Sequence, residues 1–177
     1  MHMLAYLNAH KEEGITFTET DHDPIAFVDA SNKDDKADGR CQYGYNVFWG
    51  GPIVYKSGKL NHVGINSTYN EYMALHHAIK HIVWLRQLMS ETGLTTFTRK
   101  PTVVYADNKQ ANTLCREDLV TAGNMYFRTG YHYCREAVRD KQVSVIYIET
   151  DKNYSDAMTK ALGSNKIKSF LPVIHGM

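Results

Sequence analysis

From Ile25 to Ser31 (IAFVDAS) apolar and polar residues alternate with the period of two that a strand requires. A charged turn over Asn32 to Arg40 follows, and Gln42 to Trp49 (QYGYNVFW) predicts a second strand. Gly50-Gly51 is a hairpin signal. Pro52 to Asn66 then returns as a third strand, bent at Ser57-Gly58. Three strands joined by short turns predict an antiparallel meander. After that the period changes. Leu75, Ile79, Ile82, Val83, Leu85, Leu88 and Met89 recur at spacings of three and four up to Gly93, the stripe of a long amphipathic helix.

Thr102 to Tyr105 (TVVY) is an apolar strand, followed by a short helix through Cys115. Tyr126 to Arg139 predicts another helix, and Gln142 to Glu149 (QVSVIYIE) the fifth strand. Ser155 to Leu162 opens a final helix that Lys166 to Leu171 continues. The order β-β-β-α-β-α-α-β-α describes an α/β fold: a five-stranded mixed sheet, its first three strands antiparallel, flanked by helices. Upstream, Leu4, Ala5, Tyr6 and Leu7 form a short helical pattern ending at Gly14, and Thr18 to Pro24 has the polar character of a linker. Residues 1–24 are therefore expected to connect, and residues 25–177 to form the domain.

Composition narrows the class. With 177 residues, 43% hydrophobic and 22% charged, the chain suits one soluble globular domain. Nothing approaches the roughly 18 apolar residues of a membrane span, and the N-terminus lacks a signal-peptide layout. A net charge of +1 selects no partner. Lys56, Lys59 and His62, or Arg128, Arg135, Arg139 and Lys141, are candidate basic clusters, although each alone fits a solvated mixed-charge surface. Cys41, Cys115 and Cys134 lie far apart with no Cys-x-x-Cys pair. That excludes a disulfide framework and a cysteine zinc site, and suits a reducing compartment.

The chemistry lies with acids at the ends of elements. Asp29 is in phase with Ile25 and Phe27 on an apolar strand, where a lone carboxylate is costly to bury; capping the next turn is the plainer role. Glu71 opens the long helix and also fits a capping box, Thr68-x-x-Glu71. Asp107 follows the apolar strand at its carboxyl end, where ligand chemistry gathers in α/β sheets, or else caps the following helix. Asp156 stands in the first turn of the last helix, where the helix dipole alone favours an acid. Each signal is weak; the ordered set is stronger. Four converging carboxylates repel and raise one another's pKa. Divalent cations with hard oxygen ligands, Mg²⁺ or Mn²⁺, remove that conflict, and two such ions support an in-line phosphoryl displacement. His77 and His81 are four apart on the helix, but no H-E-x-x-H arrangement and no third ligand accompany them, so with His76 they read as a polar face.

The words around these acids resemble the ribonuclease H domain of copia-like (Pseudoviridae) LTR retrotransposon Pol polyproteins. They are Phe-Val-Asp-Ala-Ser (27–31), Gly-Pro-Ile-Val-Tyr-Lys-Ser-Gly-Lys (51–59), Ser-Thr-Tyr-Asn-Glu-Tyr-Met-Ala-Leu (67–75) with Val-Trp-Leu-Arg-Gln-Leu (83–88), Tyr-Ala-Asp-Asn-Lys-Gln-Ala (105–111), Tyr-His-Tyr-Cys-Arg-Glu (131–136) and Asp-Ala-Met-Thr-Lys-Ala-Leu (156–162). The resemblance spans about Leu4 to Leu162, and the opening Leu-Ala-Tyr-Leu is similar to the segment joining reverse transcriptase to this domain.

The resemblance implies a ribonuclease H-like fold and an endonuclease that hydrolyses the RNA strand of RNA–DNA hybrids with two Mg²⁺ (or Mn²⁺) ions during reverse transcription. By it, Asp29 would bridge both metals, Asp107 and Glu71 would hold the ion near the leaving group, and Asp156 would help hold the ion that activates water. Glu71 would also lie near the RNA 2′-hydroxyl, which distinguishes RNA from DNA. Asn70 and Asn108, beside two of the acids, are expected substrate contacts in the minor groove. Implied partners are the hybrid and the reverse transcriptase domain of the same polyprotein, with no membrane. The implied setting is intracellular, in cytoplasm or a virus-like particle, with the isolated chain a monomer. The chain departs from the pattern in three ways. No histidine stands about ten residues before Asp156, where Ile146 lies in a strand-like stretch; the basic protrusion is missing; and Asn124-Met125-Tyr126 lacks the branch's basic and histidine residues. Asp34, Asp35, Asp118 and Asp151 read as turn residues. Two other readings stand beside this one: a catalytically weak fold module that supports a reverse transcriptase, and an integrase-like enzyme, whose acid order Asp, Asp, Glu does not match.

Overall fold

The computed structural model describes residues 2–31, 39–63, 66–117 and 128–176. In chain order its elements are α1 (His2–Ala9), β1 (Ile25–Ala30), β2 (Arg40–Phe48), β3 (Pro52–Val63), α2 (Ser67–Glu91), α3 (Thr95–Thr98), β4 (Thr102–Ala106), α4 (Lys109–Leu114), α5 (Arg128–Arg139), β5 (Val143–Tyr147), a 3-10 turn (Thr150–Lys152), α6 (Asp156–Thr159) and α7 (Ser164–Ile174). The strands form one mixed sheet in the order β3-β2-β1-β4-β5. β1, β2 and β3 are antiparallel neighbours, while β4 pairs parallel to β1 and β5 parallel to β4.

The parallel pair requires a crossover, and α2 supplies it. Its buried stripe, Leu75, Ala78, Ile79 and Ile82, packs with Val28, Val47, Val104 and Val145 of the sheet. Burying each such branched side chain contributes about 1.5–3 kcal/mol. The opposite sheet face carries an aromatic layer. Phe27 stacks on Tyr105 with ring centroids 5.2 Å apart and meets Tyr154 edge-on at 4.9 Å, and Tyr154 in turn meets Phe170 of α7 at 5.0 Å.

Arg86 is buried on α2 and ties the loop after that helix to the sheet. Its guanidinium donates to the carbonyls of Phe97, Thr98 and Lys100, to Thr102 Oγ1 and to Gln142 Oε1.

Several expectations change in detail. β3 runs through Ser57 and Gly58 in continuous register with β2, and the irregularities fall instead between Arg40 and Gln42 and between Val47 and Phe48. The helix expected from Ser155 and continued by Lys166 is two helices, because Lys160 and Gly163 both have extended backbone and break the ladder. The short α3 carries no periodic signal, since four residues span barely one turn. Upstream of β1, Thr16 N–H donates to the His175 carbonyl at 2.7 Å and Thr18 N–H to the Gly50 carbonyl at 2.6 Å. Gly50 has a φ of 66°, and a Cβ there would lie 2.2 Å from the Thr18 carbonyl, so that turn requires glycine. Most of the turn over Asn32–Arg40, with Asp34 and Asp35, lies outside the described residues, as do Asp118 and Asn124 to Tyr126. No helix among the described residues is long and apolar enough to cross a membrane.

Candidate active site

Because β1 and β4 are parallel neighbours, their carboxyl ends lie on one edge of the sheet. Val28 pairs with Ala106, so the next residues along, Asp29 and Asp107, emerge side by side. Glu71 joins them from the first turns of α2, buried and taking a hydrogen bond from the Ala30 backbone. One carboxylate oxygen from each of Asp29, Glu71 and Asp107 lies within 4.8 Å of the others.

The competing capping roles of Glu71 and Asp107 go to other residues. Asn66, not Thr68, caps α2 by accepting from Tyr69 N–H at 2.8 Å, and Thr68 donates to Gln110 instead. Glu71 is thereby left free of a capping box. Asn108, not Asp107, caps α4 by accepting from Ala111 N–H at 3.0 Å. Asp107 instead accepts from Thr150 Oγ1 at 2.8 Å.

Asp156 is buried beside this cluster and is joined to it through Lys160. Lys160 Nζ lies 2.8 Å from Asp156 Oδ1 and 3.5 Å from Asp29 Oδ2, and Lys166 Nζ lies 2.7 Å from Asp156 Oδ2. The start of α6 is held by Asn153, fully buried, whose amide donates to the Val28 carbonyl at 2.9 Å and whose Oδ1 accepts from Ser155 Oγ at 2.6 Å. Thr159 Oγ1 donates to Asp29 Oδ2. The close seat of α6 depends on Gly44, the β2 partner of Asp29 in register, against which Met158 packs directly.

The electrostatics follow from burial. Desolvation raises the Asp29 pKa to about 6, with Asp156 and Asp107 adding to the rise and the Thr159 hydroxyl and Lys160 opposing it. Desolvation, then Asp29 and Asp107, push Glu71 well above the usual carboxylate range. Lys160 is shifted upward: burial works against its charge, and contact with Asp156 and Asp29 outweighs it. Glu71 Oε2 is buried with no hydrogen-bond partner among the described residues. Converging carboxylates with an orphaned buried oxygen fit a hard divalent cation.

The two asparagines have local partners. Asn70 is buried, and its amide donates to Cys41 Sγ at 3.0 Å. Asn108 spends its side-chain oxygen on the cap of α4. His77 stacks on Tyr43 at 4.4 Å and His81 shares a hydrogen bond with Tyr45, so the helix histidines have separate neighbours and no common ligand point. Asp151 is exposed on the 3-10 turn, 3.7 Å from Lys166. Sequence reasoning missed Thr150, Asn153, Thr159, Lys160 and Lys166. Of these only Lys160 carries a local signal, as the residue four after Asp156 on a predicted helix.

No protein-family model matches the chain. It is 29% identical over 167 residues, 94% of its length, to the retrovirus-related Pol polyprotein from transposon TNT 1-94 of Nicotiana tabacum. It is 30% identical over 146 residues, 82% of its length, to that from transposon RE1 of Arabidopsis thaliana. The chain spans only 12% and 10% of these two polyproteins. Among solved structures, the N-terminal ribonuclease H domain of a Mycobacterium tuberculosis protein superposes with a TM-score of 0.56 at 12% identity, covering 84% of this chain and 96% of that one. A ribonuclease H1 called LC11, solved in complex with an RNA/DNA hybrid, gives 0.54 at 12% identity over 77% of this chain and 93% of that one. The chain is thus a ribonuclease H-fold domain related to the Pol polyproteins of copia-like retrotransposons.

Proposed function

We propose that this domain is an endonuclease that hydrolyses the RNA strand of RNA–DNA hybrids, acting within a retrotransposon polyprotein during reverse transcription. The observation that carries the proposal is the meeting of Asp29, Glu71 and Asp107 at the carboxyl edge of a ribonuclease H-fold sheet. In this reading Asp29, Glu71 and Asp107 hold Mg²⁺ or Mn²⁺, and Asp156 completes a two-ion site once Lys160 and Lys166 yield it. Bound divalent ions supply the positive charge that lets the carboxylates ionise together, activates water and stabilises the leaving oxygen. Thr159 and Thr150 orient Asp29 and Asp107 by hydrogen bonds. Lys160 neutralises Asp29 and Asp156 when the ions are away. Glu71, reaching in from α2, is the group proposed to meet the 2′-hydroxyl of the cut strand. Asn70 and Asn108 keep a proposed substrate role through their amide atoms that are free of the cap and of Cys41.

Residues 25–177 form the nuclease unit in this reading and residues 1–24 the connection to a reverse transcriptase domain, with cytoplasm or a virus-like particle as the setting. The expected monomer is checked by light scattering of the isolated chain. A silent fold module supporting a reverse transcriptase is the second reading, favoured by the hold of two lysines on Asp156.

The test compares initial cleavage rates on RNA–DNA hybrid, double-stranded RNA and duplex DNA of one sequence at fixed salt. Hybrid is expected to be cut in Mg²⁺ or Mn²⁺, the other two little or not at all, and chelation to stop the reaction. No cleavage of hybrid in either metal selects the silent module. Equal rates on hybrid and duplex DNA overturn the assignment.

A further inference from the structure

Away from the acids, on the face of the sheet that α2 covers, an open groove of about 490 Å³ is lined by Tyr45, His77, Lys80, His81 and Trp84. Its floor is built, not accidental. The Tyr45 hydroxyl and His81 Nδ1 share a hydrogen bond of 2.8 Å, which fixes both rings. His81 in turn lies 5.4 Å from the Trp84 ring. Burial, with Lys56 nearby, depresses the pKa of His81, so the imidazole is held neutral as part of the aromatic wall. Trp84 closes the groove with 55% of its surface exposed. For an indole on a helix whose opposite stripe is fully buried, that is a large apolar area left in water.

Two lysines flank this platform, Lys80 in its lining and Lys56 beside His81. Lys80 is exposed on α2, one helical turn before Trp84. Lys56 is exposed on β3, where it pairs in register with Tyr45 and so projects to the same side. Neither lysine has an ion pair among the described residues, whereas Lys100, Lys152, Lys160 and Lys166 all do. Two cations without an ion pair among the described residues, beside the exposed indole of Trp84, match a polymer that offers a negative charge on every unit and a π face on every unit. That polymer is a nucleic acid strand whose bases are unpaired, since a base inside a duplex has no free face for Trp84.

We propose that this groove is an accessory site for a single-stranded extension of the nucleic acid, its bases stacking on Trp84 and its phosphates held by Lys80 and Lys56. The groove runs along the helix that carries Glu71. At 1.5 Å per residue, Lys80 lies about 14 Å and Trp84 about 20 Å further along the α2 axis than Glu71. The acid cluster and the groove are therefore two stations on one rigid element. A substrate with a single-stranded extension engages both, and a blunt duplex only the first. The proposal rests on the nuclease reading above only in taking nucleic acid as the ligand.

The test uses the full chain in chelator, so that nothing is cut. Fluorescence anisotropy compares a blunt hybrid, the same hybrid with a single-stranded extension of about ten nucleotides, and that extension as a free strand. The extended hybrid is expected to bind at least about fivefold tighter than the blunt one. Trp84→Ala should bring that ratio close to one, and Trp84→Phe, which keeps a ring, should retain most of it. Lys80→Gln should lower the salt dependence of extended-hybrid binding. Equal affinity of the wild type for extended and blunt hybrid overturns the proposal, as does an advantage that survives Trp84→Ala. If Trp84→Ala instead weakens only association with a reverse transcriptase domain, the groove is a protein-docking surface and the proposal fails. Should the chain prove not to cut hybrid in Mg²⁺, the nuclease reading falls by itself, and binding of the free strand, lost in Trp84→Ala, still decides the groove.

Discussion

Gly44 and Met158 are in direct contact across the sheet: a Cβ on Gly44 would come within 2.4 Å of the Met158 Cβ and 3.2 Å of the Met158 carbonyl carbon. Gly44 is also the residue paired with Asp29. The absence of one methyl group on β2 is therefore what lets α6 sit low enough for Thr159 and Lys160 to reach Asp29.

Gly44→Ala is accordingly expected to lift α6 from the sheet. Overpacking of this kind costs about 1–3 kcal/mol, and misplacing Asp156 and Thr159 by even about 1 Å should lower hybrid cleavage on the order of a hundredfold. Thermal unfolding and initial rates check the two halves separately. Wild-type activity in a folded Gly44→Ala variant would mean that the seat of α6 is not needed.

Asp29→Asn and Asp107→Asn should each abolish cleavage while the chain still binds hybrid, because asparagine keeps the shape and loses the charge that holds cations. Asp151→Asn should leave the rate within about twofold, since Asp151 is exposed and among the described residues pairs only with Lys166 at 3.7 Å, an ion pair of little worth. Rates measured at saturating Mg²⁺ decide between the acids. Comparable losses in all three variants would show that the set is wrongly chosen.

The acids also set a pH dependence for the metal-free chain. Burial holds the Asp29 pKa at about 6, above its ordinary value of 3.8. The folded state therefore keeps a proton that the unfolded state has released between about pH 4 and 6, and stability falls as pH rises through that window. Asp29→Asn removes the penalty. In chelator it should be more stable than wild type by about 1–3 kcal/mol at pH 7.5, with the difference shrinking toward pH 4. Mg²⁺ should stabilise wild type at pH 7.5 and do much less for the variant. A stability difference that does not change with pH would contradict a raised Asp29 pKa.

Arg86 predicts a loss of stability with no direct effect on the acids. Its guanidinium satisfies three backbone carbonyls, Thr102 and Gln142 from a buried position. Arg86→Lys keeps the charge but not the planar fork, and should cost about 2–4 kcal/mol in chemical denaturation. Arg86→Met removes the charge as well, yet leaves the same carbonyls unpaired, so its cost should be similar. A loss below about 0.5 kcal/mol in both variants would show that water replaces the guanidinium freely.

Local pattern alone determined the frame of this protein. The meander, the 3.6-residue stripe on α2 and the apolar run of β4 each follow from a short window of sequence, and they place Asp29, Glu71 and Asp107 at the ends of elements. Whether those acids met was not legible there, since each also had a plain capping role. The choice fell to Asn66 and Asn108, which took the caps, and to the parallel pairing of β1 with β4, a contact between residues more than seventy positions apart. The same holds for Thr159 and Gly44, and for the reach of Lys160 to Asp29. Their roles are set by how closely two surfaces approach, which no periodicity records. Asp156 shows the limit most clearly: its place in a first helical turn was readable, as was Lys160 four residues on, but its second partner, Lys166, depends on the break between α6 and α7 that turns it back onto Asp156. Periodicity encodes which face of an element is buried; only the packed chain decides which charges share that burial, because the cost of desolvating them is settled by neighbours distant in sequence.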